Sequence, residues 1–195
     1  MALKIVTEPA AEPVTTAEAK SHLRVDISTD DTLIGSLITA ARQMTEQITR
    51  RTLITQTWEL TEDDWPGGDT IVIPLPPLQS ISSIKYTDDD GVEATFGTAN
   101  YVVDTMSEPG RVRLTSGASW PSDTLQELNG VTIRFVAGYG TAGSAVPQAM
   151  RQAMLMLLGH WYENREAVLL SGAIPKEIPF AVDALLWPYR IFRWV

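Results

Sequence analysis

The apolar residues of this chain change their spacing twice, and that change limits what it can fold into. Leu33, Ile34, Leu37, Ile38, Ala41, Met44 and Ile48 recur at steps of one, three and four, a single stripe along a helix of roughly five to six turns. From Leu53 the period falls to two, and Thr55-Gln56-Thr57-Trp58-Glu59-Leu60 alternates as a half-buried strand does. Thr70–Ile73, Ser80–Thr87, Tyr101–Asp104, Arg111–Leu114 and Val131–Val136 read the same way. Helical spacing then returns in Met150, Ala153, Met154, Leu157, Leu158, Trp161 and Tyr162. The order is helix, sheet, helix.

The punctuation agrees with the periodicity. Thr15 with Glu18 forms a capping box, in which each side chain satisfies a backbone N–H that the first helical turn leaves orphaned, and this helix should run to about Arg24. Ser28 to Asp31 opens the second helix in the same manner. Asp30 and Asp31 at its start, and Arg50 and Arg51 at its end, suit the helix dipole. Pro66-Gly67-Gly68, Pro74 to Pro77, Asp88-Asp89-Asp90-Gly91, Pro109-Gly110 and Trp120-Pro121 are turn chemistry between the strands. Gly138-Tyr139-Gly140 and Gly143 read as a flexible joint, Pro147 as a first-turn proline, and Phe180 to about Trp187 as a short last helix stopped by Pro188. The expected fold is α+β. Residues 1–52 carry N-terminal helices, 53–140 form a β-rich antiparallel insert, 141–187 complete a small helical bundle, and 188–195 form an apolar, basic tail.

Composition excludes several function classes. Among 195 residues there is no cysteine, which removes disulfides and thiolate chemistry and fits a reducing cytosol. The net charge is −9, with 24 acids against 15 scattered Lys and Arg, so the basic stripe that a nucleic-acid binder needs to displace phosphate counterions is missing. No run of about 18 apolar residues suggests a membrane span, and Met1 to Pro13 does not read as a signal peptide. Phosphate-binding glycine loops and the Gly-x-Ser-x-Gly elbow are absent. No catalytic constellation, cofactor site or metal site is expected.

Two local patterns invite a chemical reading and receive a plainer one. Asp88-Asp89-Asp90-Gly91 lacks the glutamate that a calcium loop carries at its twelfth position, so a hairpin turn explains it. His160 and Glu163 share a helical face, but no second helix repeats the pair; a hydrogen-bonded histidine at a packing or subunit contact is the expectation. His160, Trp161, Glu163 and Arg165 are accordingly candidate subunit contacts. The C-terminus is less ordinary. Trp187-Pro-Tyr-Arg-Ile-Phe-Arg-Trp-Val195 gathers aromatics, aliphatics and two arginines where chain ends are usually polar. Such a tail either folds back on its own core or docks into another subunit, since Trp, Tyr and Arg dominate binding hot spots.

Several fragments in this order resemble the head–tail connector, or adaptor and head-completion, proteins of long-tailed bacteriophages and phage-derived gene transfer agents. They are Glu12-Pro-Val-Thr-Thr-Ala-Glu-Ala-Lys20, His22-Leu-Arg-Val-Asp26, Leu53-Ile-Thr-Gln-Thr-Trp-Glu59, Pro76-Pro-Leu-Gln-Ser80, Arg134-Phe-Val-Ala-Gly-Tyr-Gly140, His160-Trp-Tyr-Glu-Asn-Arg-Glu-Ala-Val168, Pro179-Phe-Ala-Val-Asp-Ala-Leu-Leu186 and Pro188-Tyr-Arg190. The resemblance implies a structural subunit of the virion neck, assembled from the bacterial cytoplasm. It implies a ring of copies, a dodecamer, between the portal protein and a stopper or tail-terminator protein, with DNA passing through and no specific grip on it. It also assigns Tyr189, Arg190, Ile191, Phe192, Arg193 and Trp194 to docking on the portal. The negative charge suits a conduit through which DNA must slide. The rival readings are a DNA-packaging accessory factor, which would need a basic face, and a ligand-binding or enzymatic β segment, which would need a deep pocket with convergent polar groups.

Overall fold

A computed structural model describes residues 1–164 and 180–192. The chain is mixed α and β, with four α-helices and two antiparallel sheets among the described residues. These divide into two compact units, one from Met1–Pro9 and Thr55–Tyr139, the other from Ala10–Ile54 and Gly140–Phe192.

The first unit holds all the strands among the described residues: β1 (Ala2–Thr7), β2 (Gln56–Glu62), β3 (Thr70–Ile73), β4 (Leu78–Thr87), β5 (Glu93–Thr95), β6 (Tyr101–Asp104), β7 (Gly110–Leu114) and β8 (Val131–Ala137). One sheet runs β1-β2-β8-β4-β5 and the other β3-β7-β6. In β8 the alternation is clean: Val131, Ile133, Phe135 and Ala137 are buried while the residues between them face away. Register places Leu60 on one side of Ile133 and Ile84 on the other. These residues join Ile71, Ile73, Tyr101 and Val112 of the smaller sheet in one core, so the two sheets share their apolar faces. Trp65 and Trp120 stack at its margin with ring centroids 4.8 Å apart, and the Trp120 indole N–H donates to Gly68 O at 2.7 Å. The triple aspartate forms the β4–β5 hairpin turn. There Gly91 takes φ 80°, and Asp88 Oδ1 accepts from Val92 N at 2.8 Å.

The second unit holds α1 (Thr16–Leu23), α2 (Asp31–Thr49), α3 (Gln148–Glu163), α4 (Phe180–Leu186) and a 3₁₀ turn, Trp187–Tyr189. The capping box closes as expected: the Glu18 carboxylate accepts the Thr15 N–H at 2.8 Å, and Thr15 Oγ1 accepts the Glu18 N–H at 3.2 Å. The backbone and hydroxyl bonds from Thr15, then Arg151, hold the Glu18 carboxyl below its ordinary range. Helix α2 departs from the expected cap. It begins at Asp31, with Asp30 as cap residue and no side-chain cap bond. The Asp30 carboxylate instead accepts the Tyr162 hydroxyl of α3 at 2.5 Å, so a tertiary bond takes the group that would have capped locally. Arg51 also departs from expectation. Expected at the end of α2 to suit the helix dipole, it lies just past the C-cap Arg50, buried, and donates from Nε to Tyr189 O at 2.6 Å.

Two of the glycines read as a joint, Gly140 and Gly143, are close-packing positions, and the boundary between the two units falls between Tyr139 and Gly140. A Cβ on Gly143 would lie 2.5 Å from Pro13 O, and one on Gly140 would lie 2.8 Å from Ala145 Cβ. Pro188 likewise does not end the chain's helical course at once, because the 3₁₀ turn carries it through to Tyr189.

Candidate functional site: the C-terminal face of the helical unit

Helix α3 packs against α2 and α4, burying Met150, Ala153, Met154, Leu157 and Leu158. The predicted stripe therefore forms the core of this unit, but its last members do not go fully inside. Trp161 and Tyr162 are half-buried, and Tyr162 is held through its hydroxyl to Asp30. His160 is also half-buried. Its carbonyl accepts the Asn164 backbone N–H at 3.1 Å and the Asn164 side-chain amide at 2.8 Å, which closes the end of α3. Glu163 is exposed, and Arg165 lies outside the described residues. Trp161→Ala is expected to cost about 1–2 kcal/mol by chemical denaturation, well short of the 3–5 of a fully buried aromatic. A loss above about 3 would place this ring in the core after all.

Helix α4 is anchored by Val182 and Leu186, both fully buried. Beyond it the chain is tied down at three points. Tyr189 O accepts from Arg51, the Ile191 N–H donates to Thr49 O at 3.1 Å, and Arg190 Nη2 pairs with the Asp183 carboxylate at 2.5 Å. The Arg190 guanidinium also lies over the Trp187 ring, 5.2 Å from its centroid. Tyr189, Arg190 and Ile191 are thus half-buried and positioned by their own unit. Phe192 is 70% exposed, and its ring lies 5.3 Å from that of Trp187, itself 55% exposed. The tail divides into a tethered stretch and an outward aromatic pair. Arg193 and Trp194 lie outside the described residues.

This surface has the make-up of a protein contact. Among the described residues no group of three or more His, Asp or Glu could hold a metal, and no helix is long and apolar enough to cross a membrane. What the site offers is aromatic area, a stacked arginine and carbonyl anchors that fix their direction. The sequence marked the tail by composition. It could not mark Arg51 and Thr49, whose bonds to the tail join residues far apart in the chain.

The chain belongs to the head completion protein family, whose pattern matches residues 13–192. Solved structures agree. The fold is similar to a chain in the neck of an empty gene transfer agent (GTA) particle, with TM-score 0.82 and 28% identity over 100% of this chain and 98% of that one. A chain of the native GTA virion matches equally well, at TM-score 0.82 and 28% identity with the same coverage. A chain of the native GTA neck computed with C12 symmetry matches at TM-score 0.80 and 29% identity, again over 100% and 98%. No curated protein matches the chain.

Proposed function

We propose that this chain is a non-enzymatic structural adaptor of the neck of a phage-like particle. Twelve copies form a ring between the portal protein and the stopper or tail-terminator protein, and DNA passes through the ring without being bound specifically. The helices act as one bundle carrying the β-rich segment as an insert. The observation that carries this reading is the likeness to neck chains of GTA particles, which extends over the whole length of this chain. A net charge of −9 supports a conduit in which phosphates are not held.

The tail is the proposed portal-docking element, Tyr189 to Trp194, with His160, Trp161, Glu163 and Arg165 at subunit contacts. Tyr189 and Ile191 direct it through Arg51 and Thr49, and Phe192 is its first free anchor. Ending the chain after Ile191 keeps both tethers. Portal affinity should then fall by about 30-fold or more while the melting temperature holds, because removing hot-spot aromatics costs about 2 kcal/mol or more. Light scattering of the protein alone and mixed with its cognate portal checks the whole reading. A small free species that becomes a large stoichiometric complex only with portal supports the adaptor. A chain that ignores portal refutes it.

A further inference from the structure

Three strands of the β-rich unit run out at the same end. Val131, the first residue of β8, pairs with Glu62 at the end of β2 on one side and with Tyr86 near the end of β4 on the other. The stretches that leave or enter these strands therefore gather there, and they are acidic. Asp63 and Asp64 follow β2, the Asp88-Asp89-Asp90 turn follows β4, and Asp123 and Glu127 precede β8. Asp63 Oδ1 accepts the Asn129 N–H at 2.9 Å, and the Asp89 N–H donates to Thr124 O at 3.0 Å, which ties the three stretches into one surface. Among the described residues no Lys or Arg pairs with these carboxylates. The unit's cations are engaged elsewhere: Lys85 with Glu93, Arg111 with Asp104, Arg113 with Asp69 and Arg134 with Glu59, while Lys4 lies opposite Glu59 in β1.

A cavity of about 240 Å³ adjoins this surface. The buried Ile71, Val131 and Ile133, with Val72 and Pro66, give it apolar walls. Its charged lining is acidic in the side chains, Glu62 and Asp64, with the Met1 ammonium 3.4 Å from Glu62. The space is smaller than the roughly 300–1,000 Å³ of a small-molecule site, and suits a single side chain. Its wall strand β3 is an edge of the smaller sheet, so the outer backbone groups of β3 have no strand partner among the described residues and can receive an extended segment.

We infer that this cavity seats an aliphatic side chain from a basic segment of another protein, whose flanking Lys or Arg side chains lie against the carboxylates around it. Charge complementarity selects the occupant. DNA is excluded, since its phosphates meet acids here and no free cation. A second copy would bring a further net charge of −9 to a surface that is already acidic, so the occupant is a different chain. The inference does not depend on the ring reading and gives the β-rich unit a partner surface of its own, apart from the tail.

A synthetic peptide with one leucine between two pairs of lysines, capped at both ends, tests this by titration into the full isotope-labelled chain, followed by nuclear magnetic resonance. The amide signals of Thr70, Ile71, Val72 and Val131 should shift to saturation. Serine in place of the leucine should weaken binding by about 10-fold or more, the effect of one buried aliphatic side chain. Glu62→Gln combined with Asp64→Asn keeps the shape of both side chains and should weaken it by about 5-fold. No saturable shift, equal binding of the serine peptide, or shifts confined to the aspartate turns would overturn the inference. Shifts at the same amides when the protein alone is concentrated would make a second copy the occupant and overturn the assignment to a different chain. Light scattering with portal reads the adaptor function separately, and none of these outcomes bears on it.

Discussion

Replacing Arg42 with methionine is expected to destabilise the helical unit by about 3–5 kcal/mol, the cost of taking a buried cation from the two half-buried carboxylates it pairs. Arg42 is only 4% exposed on α2. Its Nε donates to Glu12 and its Nη1 to Glu46, both at 2.9 Å. The acids are engaged on their other oxygens as well, Glu12 by the Thr39 hydroxyl at 2.9 Å and Glu46 by the Leu53 N–H at 2.9 Å. The network joins the segment before α1, the body of α2 and the segment after it, so loss of the guanidinium frees three chain stretches at once. Adding Glu12→Gln and Glu46→Gln to the variant should recover more than half of the loss, because neutral amides bear burial more easily. Urea unfolding followed by far-ultraviolet dichroism, with most of the signal from helix, provides the measurement. A loss below about 1 kcal/mol would mean that water enters the cluster and that it behaves as a surface ion pair.

Phe135→Ala should cost a similar amount, about 3–5 kcal/mol, but in the other unit. Phe135 is fully buried in β8, paired with Trp58 of β2 and Ile81 of β4. It has a strand on each side and the smaller sheet's residues in the same core, so the surroundings have little freedom to collapse into the space. Phe135→Leu keeps most of the volume and should cost less than half as much. If tryptophan fluorescence showed both variants losing the same amount, shape rather than volume would govern this site.

What could be read from the sequence was local. The expected strands appear as elements within two residues at either end, and Thr15–Glu18 closes as a box, because alternation and capping are written into neighbouring residues. The β1 strand was missed. Ala2-Leu-Lys-Ile-Val-Thr7 is a reasonable strand, but it becomes one by pairing with β2, across the whole of α1 and α2. The three-residue β5 was too short to show a period. Ser28 read as the opening of α2, but the helix begins at Asp31 with Asp30 as its cap residue, and the Asp30 carboxylate is taken by Tyr162, far away in the chain. The candidate site divides in the same way. Its aromatic composition was plain, whereas the tethers from Arg51 and Thr49 depend on contacts between distant parts of the chain.

The order of strands has a consequence for how the protein is made. β8, the last strand among the described residues, is the middle of the larger sheet, between β2 and β4. Residues 63–130 separate β2 from it. A ribosome adding about 5–20 residues per second needs roughly 3–14 seconds to supply that stretch. Throughout that interval β2 has β1 on one side and an open edge on the other, and a two-stranded ribbon is marginal in water. Open strand edges are where nascent chains stick to one another. The sheet is thus closed by its keystone from the inside, after the flanks have been laid, and the period before that closure is when a newly made subunit most needs protection.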